Sequence, residues 1–167
     1  MKEAYKKAIE FERKGFEFYK KIAGEITQPL AKRLFESLAE QEKEHIRSIE
    51  DIFEKGSFEE GHKELSDGKK MEDEIKKVFY ELEEEKRKIP LDHVEGYKLA
   101  MELEKKGYEM YKEFFQNAEG KEKEFFERLM EQEKEHLESL DNVYRYLTES
   151  EVWYSEEESK VWNWMNM

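Results

Sequence analysis

The string EQEKEH occurs at residues 40–45 and again at residues 131–136 of this 167-residue chain. An identity of that length with matching flanks means that one structural unit is present twice. LFESLAEQEKEHIRSIEDIF (34–53) aligns without gaps on FFERLMEQEKEHLESLDNVY (125–144) at a constant offset of 91. Phe35, Leu38, Glu42, His45 and Ser48 thus correspond to Phe126, Leu129, Glu133, His136 and Ser139. Upstream, AIEFERKGFEFYKK (8–21) aligns on AMELEKKGYEMYKE (100–113) at an offset of 92, pairing Ala8, Glu12, Gly15 and Tyr19 with Ala100, Glu104, Gly107 and Tyr111. Each half is two segments in the same order, joined by a short loop that differs by one residue between copies.

The segments predict helices. Glu and Lys dominate a charged fraction of 44%, with only 8 Gly and 2 Pro in the chain, a mixture that favours helix over strand. The first loop falls near Gly24 to Pro29, with Pro29 suited to the first turn of the second helix; the second falls near Asn117 to Gly120. Loops this short make the helices of each half antiparallel neighbours. The link between halves, about residues 55–91, is longer and predicts its own amphipathic helix, with Met71, Ile75, Phe79 and Leu82 on one stripe. Asp92 followed by Glu95 resembles a capping box at the start of the third long helix. The expected fold is all-α: a ferritin-like antiparallel four-helix bundle over residues 1–147, built from two helical hairpins with one long crossover containing an extra helix. Residues 148–167 form an aromatic tail with Trp153, Trp162 and Trp164, which either folds back on the bundle or packs against a second subunit of a homodimer.

Polar residues interrupt every apolar stripe at similar depth. The first stripe runs Tyr5, Ala8, Ile9, Glu12, Gly15, Phe16, Tyr19, Ile22 and Ala23, and the second runs Leu34, Phe35, Leu38, Glu42, His45, Ile46, Ile49 and Phe53. The third carries Glu104 between Ala100 and Tyr111, and the fourth carries Glu133 and His136 between Leu129 and Leu140. A carboxylate moved from water into a core costs several kcal/mol unless paired or metal-bound, and four together repel one another. Two divalent cations would balance four carboxylates, leaving the histidines neutral. Glu and His three residues apart share a helix face, so the expected metal ligands are Glu12, Glu42, His45, Glu104, Glu133 and His136. Oxygen-rich donors with one imidazole per metal suit iron first and manganese second.

Spacing alone is a weak signal in so acidic a chain: Glu59 and His62 share it, but lie on no apolar stripe and have no copy, and are read as surface. Glu40, Lys43 and Glu44 are read as solvated. Gly15 and Gly107, beside the ligands, are read as giving room for metal or oxidant. Tyr19 and Tyr111 lie two turns from Glu12 and Glu104, placed to hydrogen-bond a ligand carboxylate of the opposite half. The net charge of -13 argues against nucleic acid and anionic membranes. No apolar run reaches the length of a membrane span, and MKEAYKKA has no apolar signal core, so the cytoplasm is the expected compartment. The absence of cysteine excludes thiol catalysis and cysteine-bound metal.

Over about residues 3–147 the chain resembles the rubrerythrin-related branch of the ferritin-like di-iron proteins. The resemblance lies in Ala8-x-x-x-Glu12-x-x-Gly15-x-x-x-Tyr19, Glu42-x-x-His45 and their copies. It implies that Glu42 and Glu133 bridge two iron ions, that Glu12 and Glu104 bind at either end, and that His45 and His136 each complete one metal. It also implies that Tyr19 and Tyr111 bond to ligand glutamates. Rubrerythrin carries a further ligand glutamate where this chain has Gly107, and the remaining set is similar to that of bacterioferritin. A cysteine-ligated rubredoxin domain is also lacking, so electrons would come from an external donor. The implied activity is oxidation of Fe(II) by peroxide or oxygen, as a peroxidase or ferroxidase; the alternative is a non-catalytic iron-binding or storage module.

Overall fold

The computed structural model describes residues 2–56 and 68–148, and within them the chain is helical with no strand. Four long helices, α1 (Lys2–Glu25), α2 (Pro29–Lys55), α5 (Val94–Asn117) and α6 (Gly120–Thr148), form two hairpins. Between them lie α3 (Gly68–Glu81) and the single turn α4 (Glu84–Arg87). Connections of residues 26–28 and 118–119 turn the chain back on itself, so α1 packs along α2 and α5 along α6. α1 also meets α5 and α2 meets α6, closing the bundle.

Local chemistry sets the helix ends. Pro29 opens α2, where its missing N–H leaves nothing unsatisfied, and the Gln28 side chain accepts from the Ala31 N–H. At the other end Gly56 takes φ 66°, a left-handed conformation open to glycine, and its N–H returns to the Ile52 carbonyl. α3 lays its stripe on α2 and α6, burying Met71, Ile75 and Phe79, while Leu82 packs partly buried beside them.

Asp92 corrects the capping-box expectation. His93, at φ 56°, occupies the cap of α5 and makes no side-chain cap bond. The Asp92 carboxylate instead accepts from the Thr27 N–H and hydroxyl, both at 2.9 Å, and from the Gln28 N–H. Those donors, exposed by the turn between α1 and α2, outcompete the first turn of α5. The apolar stripes are otherwise inward, except that Phe53 at the end of α2 is 37% exposed. Glu40 and Lys43 are exposed, whereas Glu44 is half-buried. No helix among the described residues is long and apolar enough to cross a membrane. The Glu59 and His62 pair and the tryptophan tail lie outside the described residues.

The apolar interior is in two parts. One gathers Tyr19, Leu34, Phe35, Leu38, Tyr97 and Leu140 with the α3 stripe, and the other gathers Tyr5, Ile49, Tyr111, Phe125, Phe126 and Leu129. A polar layer separates them.

Candidate metal centre

That layer is made of one inward glutamate from α1, one from α5, and a Glu-x-x-His face from each of α2 and α6. Glu12, Glu42, His45, Glu104, Glu133 and His136 are each 2% exposed or less. Donor atoms of Glu12, Glu42, His45 and Glu133 lie within 4.8 Å of one another, and so do those of Glu42, Glu104, Glu133 and His136. Glu42 and Glu133 belong to both groups.

The two histidines stack with ring centroids 5.4 Å apart. His45 Nδ1 stands 3.3 Å from Glu12 and 3.4 Å from Glu133, and His136 Nδ1 stands 3.3 Å from Glu42 and 3.4 Å from Glu104. Their other nitrogens cross to the opposite half. His45 Nε2 donates to Gln132 Oε1 at 2.5 Å, and His136 Nε2 donates to Gln41 Oε1 at 2.7 Å. An amide oxygen only accepts, so each Nε2 carries the proton and each Nδ1 faces the carboxylates. Tyr19 donates its hydroxyl to Glu104 and Tyr111 donates to Glu12, again from one half to the other.

Without metal the layer must hold protons. Burial, then the neighbouring Glu12, pushes the Glu42 carboxyl well above the usual range, and burial with Glu104 does the same to Glu133. Burial also opposes ionisation of Glu12, but His45 and hydrogen bonds from Glu42, His45 and Tyr111 outweigh it and bring its pKa down to about 2. Glu104 is lowered in the same way, against burial, chiefly by the charge of His136 beside it and by the hydrogen bond from Tyr19. His45 is raised: burial opposes its charge, but Glu12 beside it prevails. Burial and then Glu104 or Glu12 hold Tyr19 and Tyr111 in their protonated, donating form.

Four atoms of the layer have no hydrogen-bond partner: Glu42 Oε1, Glu104 Oε2, Glu133 Oε1 and His136 Nδ1. Buried acceptors are ordinarily satisfied, and here they face one another across a few ångströms. Oxygen and imidazole donors in two overlapping groups of four therefore fit two divalent cations, each meeting one nitrogen and three carboxylates, two of them shared. The layer could hold metal.

Gly15 and Gly107 back the shared carboxylates. A Cβ on Gly15 would stand 3.3 Å from Glu42 Oε2, and one on Gly107 would stand 2.6 Å from Glu133 Oε2 and 2.9 Å from Phe11 Cε1. Room for the carboxylates is thus what both glycines provide. The repeat and the apolar stripes mark every one of these groups except Gln41, Gln132 and Phe11. The glutamines had a signal, since each lies inside the repeated string, four residues before a histidine and so on its face. Their role depends on the facing helix, which spacing within one helix does not specify.

A family model described as Rubrerythrin matches residues 3–157. No curated protein and no solved structure matches the chain.

Proposed function

The chain belongs to the rubrerythrin family, and from that premise we propose that it is a di-iron oxidoreductase that reduces peroxide or oxygen at the expense of Fe(II). Glu12 and His45 would hold one iron and Glu104 and His136 the other, with Glu42 and Glu133 bridging both. Iron is preferred over manganese as the resident metal of this oxygen-rich set. When bound, the pair would supply one electron from each ion, and those two electrons with two protons drawn from solvent balance the conversion of one peroxide into two waters.

The rest is the work of the chain. Gln41 and Gln132 hold each imidazole in the tautomer that turns a lone pair inward. Tyr111 and Tyr19 fix the carboxylates of Glu12 and Glu104 and keep their own protons. The two apolar clusters above and below the layer exclude bulk water, which strengthens every electrostatic contact inside. With no cysteine in the chain, the proposed source of electrons for repeated turnover is an external donor.

The observation that carries this reading is the convergence of six buried donors, four of whose atoms lack any hydrogen-bond partner. Stopped-flow mixing of anaerobic Fe(II)-loaded protein with peroxide tests it. Oxidation should outpace that of free Fe(II) and repeat when a reductant is supplied. A rate equal to that of free Fe(II) would eliminate the activity, and a single oxidation without re-reduction would favour the storage reading.

A further inference from the structure

A groove of about 560 Å³ runs between α1 and α5 on the bundle surface, with Phe11 and Met110 in its wall. Phe11 has a second set of neighbours. Its Cε1 comes within 2.9 Å of where a Cβ on Gly107 would stand, and that same position is 2.6 Å from Glu133 Oε2. The ring therefore lines the groove and also borders, with the Glu133 carboxylate, the space beside Gly107, while Glu133 itself is 1% exposed.

The arrangement is confined to one half of the molecule. By the offset of 92, Phe11 corresponds to Leu103 and Gly107 to Gly15. The three atoms nearest a Cβ on Gly15 all belong to Glu42, and the residue equivalent to Phe11 on that side is the smaller Leu103. A phenyl ring beside Gly107, where the other half has leucine, makes the two sides of the centre unequal.

The groove is also lined by Lys7, Lys106 and Lys112 against Glu109 and Glu113. It is locally positive on a chain of net charge -13. Lysines there repel a metal cation and leave a small neutral molecule unopposed.

Resting on the di-iron reading above, we infer that this groove is the path by which the small neutral oxidant reaches the centre, and that Phe11 is its gate. Phe11 touches neither metal nor oxidant in the reaction; it controls arrival.

Nitric oxide, a neutral diatomic that binds ferrous iron with a visible absorption band, serves as the probe. Its association rate with the anaerobic Fe(II)-loaded protein is measured by stopped flow for native protein, Phe11→Ala, Phe11→Leu and Phe11→Trp. Phe11→Ala should speed association several-fold and Phe11→Trp should slow it comparably. Phe11→Leu, which installs the residue of the other half, should also speed it and is the conservative variant should the alanine variant fail to fold. Co(II) titration of the metal-free proteins should give the same stoichiometry throughout, showing that the ligands themselves are undisturbed. Association rates equal to native in the folded variants would overturn the gate. Failure of the underlying di-iron reading would show separately, as native protein that takes up no Co(II), and would overturn this inference with it.

Discussion

Gln41 and Gln132 decide which nitrogen of each histidine faces the carboxylates. Replacing Gln132 by Leu removes the acceptor of the His45 proton and should weaken metal affinity about 10- to 100-fold, as loss of such a partner typically does. Competition titration against a chelator measures this, and an unchanged affinity would show the amide to be incidental. At the glycines behind the shared carboxylates two effects oppose each other. Alanine is the better helix former by about 1 kcal/mol, but at Gly107 its methyl would collide with Glu133 and the Phe11 ring. Overpacking of that kind costs about 1–3 kcal/mol. Denaturant unfolding of metal-free Gly107→Ala should therefore show a net loss of up to about 2 kcal/mol, with Gly15→Ala closer to native. The raised carboxyls of Glu42 and Glu133 set a pH dependence. Both hold protons in the metal-free protein, so a cation must displace them, and affinity should fall as pH falls. Proton release during titration in weak buffer checks the sign; no release would contradict it.

The ends of the helices are tied together as firmly as their faces. Asp92, ahead of α5, accepts from the turn between α1 and α2, while the Gln28 side chain in that turn reaches the carbonyls of Lys86 and Arg87 in α4. Against the opposing effect of burial, the bonds from Thr27 and from the Gln28 N–H hold the Asp92 carboxyl below its ordinary value. A depressed pKa in the folded state means that the unfolded chain binds the extra proton first, so the contribution is complete above the ordinary Asp range and is lost as pH falls through the lowered native pKa. Asp92→Ala should cost about 1 kcal/mol near neutrality, and the difference from native protein should vanish in acid. A difference that persists in acid would point to packing instead. Asp92 also shows where sequence reading stopped. The spacing to Glu95 suits a cap, but the turn between α1 and α2 lies 64–65 residues away in sequence, and only the assembled hairpins bring it close. Apolar periodicity, by contrast, depends on one helix at a time, so the long helices, the α3 stripe and the Glu-x-x-His faces were legible. Phe53 departs from that pattern because a stripe read to its end takes no account of where the facing helix stops.

For the molecule as a whole, each half supplies what the other lacks. His45 is oriented by Gln132, His136 by Gln41, Glu12 by Tyr111 and Glu104 by Tyr19. The layer is therefore a property of the closed bundle, and its buried carboxylates and histidines are legible in the doubled sequence because the same faults recur in both copies. The cross-half partners were harder to read, since a glutamine amid charged residues looks solvated until the opposite helix is in place. Within the closed bundle four carboxylates share one dry layer, and cations between them are the simplest way to satisfy the atoms that have no other partner. Anaerobic titration of metal-free protein with Fe(II), with elemental analysis after gel filtration, tests this most directly. The account predicts two ions per chain in the native protein and their loss when Glu42 and Glu133 are both replaced by Gln; native protein that retains none, or a double variant that still retains two, would contradict it.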